Sequence, residues 1–296
     1  MCCQGVKQTR CLTIKKEVKV VNKIKRLLKR LGFPRWLHHF GPKTYEFYEH
    51  LVALITLIIK LFCKLSYRRT KHLLDLLGIG CPSKSALQYT ANKLDSSFWK
   101  KILSATSGNS YLVALDSTGF SMENPSYYYL KRIDGKIPKI PVKLSCAFDT
   151  RKKKYRAAKV RVLPAHDVKD AESLLERSQP EIAVADKAYS SEKLYAFSED
   201  NNILLMCPHK KGTFRGHCRK KMQKRFRTRI YHRRSIIESS FSSLKRKYGS
   251  SVSSKKASTI RTEVYGRLIC HNLFYFIFRL LGQSLYKGNT YKSYLK

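Results

Sequence analysis

Apolar positions change their period along this chain, and the changes mark three zones. Up to about residue 107 the period is helical. Val18, Val21, Ile24, Leu27, Leu28 and Leu31 recur at the spacing of one helix face among many Lys and Arg, which predicts a basic amphipathic helix within residues 7–31. Gly32, Pro34, Gly41 and Pro42 punctuate a turn region. The run over 51–65, LVALITLIIKLFCKL, is the most apolar of the chain. It is too short to span a bilayer and is broken by Lys60, so it predicts a buried helix. Residues 67–94 then read as helix, a break at 78–82, a Ser83 cap and a second helix, which is helix-turn-helix length and chemistry. A helical hairpin that serves only packing fits the same pattern.

The second zone alternates differently. Strands are predicted over 111–116, 138–148 and 155–163, a helix over 168–177, a strand over 181–185, a helix over 190–200 opened by two serines and a Glu, and a strand over 203–207. Three strands followed by alternating helix and strand predict a mixed α/β sheet. The third zone opens with a connector over 208–234 that holds twelve Lys and Arg and no acid. A helix-patterned stretch carrying Glu238 follows, then a Ser/Lys-rich break. The helix over 264–282 is apolar nearly all round and must be buried against the sheet. Residues 283–296 read as a loose tail. No internal repeat is visible.

Charge changes the picture. Lys and Arg number 60 against 20 Asp and Glu in 296 residues, a formal charge of +40. With 43% hydrophobic residues this is a folding chain, and its excess of cations calls for a polyanion, nucleic acid before an anionic membrane surface. Nine cysteines without regular spacing read as free thiols in a reducing cytoplasm, and the first residues lack the apolar core of a secretion signal.

In so basic a chain, three acids stand out. Asp116 ends the run YLVALD and precedes Ser117-Thr118-Gly119; Asp186 ends EIAVAD and precedes Lys187-Ala188-Tyr189. Strands that empty into turns put their last side chains at a sheet edge, where α/β proteins form ligand sites. Each Asp taken alone serves equally well as a turn starter. Glu238 lies in YHRRSIIESSFSSLKRKYG, where Tyr231, Arg234, Glu238 and Lys245 fall within roughly 60° of one another on one helical face, beside the apolar stripe Ile237, Phe241, Leu244, Tyr248. Two carboxylates at strand ends and one on a helix suit hard divalent cations, which take oxygen ligands.

The spacing Tyr231-x-x-Arg234-x-x-x-Glu238-x6-Lys245 resembles the Y-x-x-R-x-x-x-E-x6-K signature of bacterial and archaeal insertion-sequence DDE transposases, matching every fixed position. Asp116-Ser117 resembles that family's strand-end D-[ST] motif, and Asp186-Lys187-Ala188-Tyr189 its D-[KR]-[GA]-Y motif. The resemblance covers about residues 110–282. It implies a ribonuclease-H-like catalytic domain over 108–282 behind a helical, basic DNA-binding domain over 1–107. It also implies two Mg²⁺ or Mn²⁺ ions held by Asp116, Asp186 and Glu238, and phosphate or base contacts from Tyr231, Arg234, Lys245 and Lys187. The partners it implies are double-stranded DNA at transposon ends and target, with the protein acting as a homodimer at the nucleoid and with no membrane. The gap of about 52 residues between Asp186 and Glu238 leaves no room for the large β-rich insertion of some relatives.

Other candidates have plainer readings. Cys207-Pro208-His209 and His217-Cys218 match no standard zinc spacing. Cys270-His271 sits within the last apolar helix, where a buried thiol and a packed imidazole are expected. His166-Asp167 reads as a helix cap, with Asp167 and Asp170 next in line should Asp186 be dispensable. Tyr127, Tyr128 and Tyr129 suit either base stacking or packing. Two further functions fit the same acids and charge: a DNA-binding protein without catalysis, and a structure-selective nuclease.

Overall fold

The computed structural model describes residues 56–122, 142–162, 165–208 and 215–290, with side chains up to 274, together with a two-residue ladder pairing Leu37–His38 with Thr44–Tyr45. The amphipathic helix predicted within 7–31, the tyrosines at 127–129 and His209 lie outside the described residues. The chain divides into two compact units, residues 1–60 with 65–90, and residues 61–64 with 91–296.

In the first unit, residues 56–60 are helical and α1 spans Tyr67–Leu76. Ser66 caps α1 through its hydroxyl, which accepts from the Arg69 N–H. The helix stops at Gly78, whose φ of +65° suits glycine; Gly78 N–H donates to Asp75 O and Ile79 N–H to Leu74 O, the paired bonds of a Schellman stop. Ser83 then caps α2 (Lys84–Lys93) by accepting from the Ala86 N–H. Helix, break, Ser83 cap and helix follow as the sequence predicts.

The second unit is a mixed sheet flanked by helices. Its strands are β1 (Leu112–Met122), β2 (Val142–Asp149), β3 (Lys154–Arg161), β4 (Ile182–Ala185), β5 (Leu204–Met206) and β6 (Ser251–Val252). The order is β3-β2-β1-β4-β5; β1, β2 and β3 are antiparallel neighbours, β4 and β5 run parallel to β1, and β6 joins the far end of β1. The helices are α3 (Ser96–Ser107), α4 (Val168–Ser178), α5 (Glu192–Asp200), α6 (His217–Lys224), α7 (Thr228–Tyr231), α8 (Ser235–Tyr248) and α9 (Ala257–Thr290).

Period-two alternation sorts side chains to the two faces. Val113, Leu115, Ala147, Ala157, Ala183 and Ala185 pack with Ala171, Leu174 and Leu175 of α4 and Leu194 and Tyr195 of α5 in one continuous core. The other face takes α3, α8 and α9. Trp99 Nε1 donates to Thr262 Oγ1 at 3.1 Å, Tyr265 donates to Ala158 O at 3.0 Å, and Ser240 donates to the Tyr155 hydroxyl at 2.8 Å. A bulge between β2 and β3 turns Tyr155 toward this second layer, where its ring stacks on Phe241.

In the second unit α3 buries Trp99, Ile102 and Leu103. Two differences from the sequence reading have local causes. The Ser/Lys-rich break contains a strand, β6, which pairs Ser251 and Val252 with Ser121 and Met122. The final helix runs to Thr290, into the expected tail, since no proline interrupts it.

Candidate active site

Asp116 does not end its strand. β1 continues to Met122 because Ser117 through Phe120 keep pairing with β2, down to Phe120 opposite Val142, so the turn-like Ser-Thr-Gly is carried by cross-strand bonds. What ends at this level is the neighbour. β4 stops at Ala185, the register partner of Leu115, so Asp116 and Asp186 occupy the next positions of two parallel strands. Adjacent strands lie about 4.8 Å apart. Asp116 Oδ1 accepts from the Ser117 N–H at 2.8 Å. Burial pushes its carboxyl above the usual carboxylate range, and the negative charges of Glu238 and Asp167 add to this against the opposing pull of Ser117 and Arg234. Asp186 caps the 3-10 turn Lys187–Tyr189, its Oδ1 accepting from the Lys187 N–H at 2.7 Å. Lys187 is exposed, whereas Tyr189 is folded into the core.

The four signature residues do not share one regular helix. α7 ends at Tyr231, a 3-10 turn covers His232–Arg234, and α8 begins at Ser235. A 3-10 turn repeats every three residues, which brings Tyr231 and Arg234 closer to one line than α-helical spacing would. Ile237, Phe241, Leu244 and Tyr248 are buried, as the apolar stripe requires. Arg234 Nη1 lies 2.7 Å from Glu238 Oε1 and 3.6 Å from Asp116 Oδ2, so one guanidinium joins the strand acid to the helix acid. Lys245 lies further along: its Nζ is 5.6 Å from the centroid of Phe120, which shares Asp116's face of β1. The Tyr231 ring sits against Phe226 and His232, at 5.4 and 6.2 Å.

The structure thus brings Asp116, Arg234 and Glu238 together, and Asp186 follows directly on Ala185, the last residue paired with β1. It does not gather all three acids: among the described residues no three His, Cys, Asp or Glu side chains form a group that could hold a metal ion. The donor chemistry of the pair nonetheless fits a hard cation. Both are carboxylates and offer the oxygen donors such an ion takes, while the Arg234 guanidinium now stands between them.

The profile of the transposase DDE domain matches residues 107–273. The chain belongs to the DDE transposase family. Comparison with curated proteins gives no match. Among solved structures the chain is similar to the cryo-EM structure of the piggyBac transposase synaptic complex with hairpin DNA, at 10% identity and a TM-score of 0.42, over 86% of this chain and 73% of that one.

In this DDE domain Asp167 and Asp170 have structural work. Asp167 is no cap: its side chain makes no capping bond and instead accepts from Ser117 Oγ at 2.7 Å and pairs with Lys143 at 2.5 Å. Asp170 is fully buried and held by Arg161, Lys159 and Ser145. Their partners Ser117 and Ser145 alternate to the face opposite Asp116. Cys207 and Cys270 are buried, and burial raises both thiols, which leaves them inert. His271 is packed and contacts Lys153 O through Nε2 at 3.1 Å.

Two features escaped sequence reasoning. The Glu192 carboxylate accepts from the Cys218 and Arg219 N–H groups, so it caps α6 from another helix. Gly216, at φ +120°, leaves the space that Glu192 fills; any Cβ there would collide with that carboxylate. Phe120, Arg267 and Glu263 also form a cluster next to Lys245. Its one legible signal is a Glu and an Arg spaced i, i+4 in an otherwise apolar helix.

No helix among the described residues is long and apolar enough to cross a membrane.

Proposed function

We propose that this chain is a DNA transposase that cuts at the ends of its element and joins them to target DNA, with Asp116, Asp186 and Glu238 as the catalytic acids. The observation that carries the reading is the convergence of Asp116 and Glu238 on one guanidinium, at the level where Asp186 follows β4. The strand order β3-β2-β1-β4-β5, with two strands parallel to β1, supports a ribonuclease-H-like catalytic domain. When bound by the acids, two Mg²⁺ or Mn²⁺ ions would supply an activated water or 3′-hydroxyl and charge stabilisation at the leaving oxygen.

The chain's own residues do the rest. Asp116 and Glu238 present carboxylate oxygens from a rigid strand and a packed helix, which fixes their separation. Arg234, Lys245 and Lys187 offer cations to phosphates near the scissile bond, and Tyr231 an aromatic face or hydroxyl. Residues 1–107 would grip DNA, with the connector over 208–234 tracking its backbone. Two ends must meet, so the working form would be a homodimer on DNA, at the nucleoid of a cytoplasm.

The test is single substitution of Asp116, Asp186 and Glu238 by Ala, with strand cleavage and strand transfer measured against Mg²⁺ or Mn²⁺. Each should lose roughly a thousandfold or more of its cleavage rate while DNA binding persists. Full cleavage by any one variant removes that residue from the site. A wild-type protein that binds DNA but never cuts at any metal concentration points to a non-catalytic binder, and cutting without joining of pre-cut ends to a nuclease.

A further inference from the structure

We propose that Phe120, Arg267 and Glu263 are positioning residues that hold Lys245 in place for contact with a DNA phosphate. This rests on the reading of Lys245 as a phosphate ligand.

Phe120 is 1% exposed, and two cations approach its ring: Lys245 Nζ at 5.6 Å from the centroid and Arg267 Cζ at 5.4 Å. Both distances lie within the range where the ring's quadrupole attracts a cation. Two positive charges sharing one buried ring repel each other unless one is neutralised. Glu263 does this: its Oε1 lies 2.5 Å from Arg267 Nη2, and both residues are 5% exposed. Glu263 therefore leaves the ring's attraction for Lys245 unopposed by Arg267.

The same pair fixes the backbone around Lys245. Arg267 donates to Gly249 O at 3.0 Å and to Ser251 O at 2.7 Å, which ties the residues just after α8 to β6. Glu263 accepts from the Ser253 and Ser254 N–H groups, and Ser121 N–H donates to Ser250 O. The end of α8 is thereby stapled to the far end of β1, while Arg234 joins its beginning to Asp116. A buried ion pair is a poor source of stability and a good source of geometric definition. Here it defines where Lys245 stands along β1.

The experiment measures binding of the full chain to a linear DNA duplex as a function of salt, with thermal melts as the check on folding. Loss of one phosphate contact makes the slope of log K against log salt shallower by about 0.9. Lys245→Gln should show that change. Phe120→Leu, which conserves most of the volume, and Glu263→Gln should each show the same change while folded, and combining either with Lys245→Gln should add nothing further. A purely structural role would lower melting temperature and leave the slope alone. If Lys245→Gln shifts the slope but folded Phe120→Leu keeps the wild-type value, the positioning role is overturned and the phosphate role stands. If Lys245→Gln itself leaves the slope unchanged, the phosphate role falls, and the positioning role with it.

Discussion

Asp116 and Asp170 lie near the same end of one sheet and are treated in opposite ways. Asp170 is the more deeply buried, with 0% of its side chain exposed, and burial alone would raise its carboxyl. Hydrogen bonds from Arg161, Ser145 and Lys159 outweigh that and hold it below the usual carboxylate range. Asp116 keeps 21% exposure yet sits above that range, because one backbone N–H and a guanidinium 3.6 Å away do not offset burial and the nearby negative charges. A carboxylate that serves the fold is fully matched by its neighbours. One left short of positive charge beside a second acid is where a cation from outside would gain most.

Three measurements would break or sharpen this contrast. Asp170→Ala should have the largest effect, about 3 kcal/mol lost in denaturant unfolding, because it strands Arg161 and Lys159. Asp116→Ala should cost far less; equal losses would erase the distinction.

His271 extends the contrast to a base. Burial, with Lys247 and Lys154 adding, lowers it from 6.5 to about 4. A histidine neutral when folded and readily protonated when unfolded contributes stability that is full above the unfolded value. That stability is lost as pH falls through the window from 6.5 to about 4. The loss should approach 3 kcal/mol, at no more than about 1.4 kcal/mol per pH unit, and His271→Phe should flatten that part of a stability-against-pH curve.

Asp116→Asn should give the smallest change and the opposite sign. Because the folded carboxyl titrates above its unfolded value, ionising it costs folding energy at neutral pH and nothing below the unfolded value. The variant should therefore gain stability at pH 7 and none at pH 3. No gain at pH 7 would mean that Arg234 compensates Asp116 fully.

The apolar runs ending at Asp116 and Asp186, the stripe of α8 and the Ser83 and Ser191 caps were legible because each depends on residues close in sequence. The continuation of β1 was not, since Ser117-Thr118-Gly119 reads as a turn and only pairing with β2 makes it strand. Asp167 looked like a cap because its rivals for that carboxylate, Ser117 and Lys143, are distant in the chain. The same holds for Arg234: helix spacing pairs it with Glu238, but nothing local announces that it also reaches Asp116. Which acids meet is decided by strand register and helix docking, and those are tertiary facts.

The Glu192 clasp on α6 has a mechanical consequence. Asp186, its 3-10 turn, the Ser191 cap and Glu192 are consecutive features of one short stretch, and Glu192 grips the first turn of the Arg- and Lys-rich segment. The carboxylate is thus one of the links between that segment and chain only six residues downstream of Asp186, beside the Lys221–Glu199 pair and the Gln223 bond to Cys207 O. A side chain at position 216 would loosen this link and leave the others in place, since a Cβ there meets the Glu192 carboxylate.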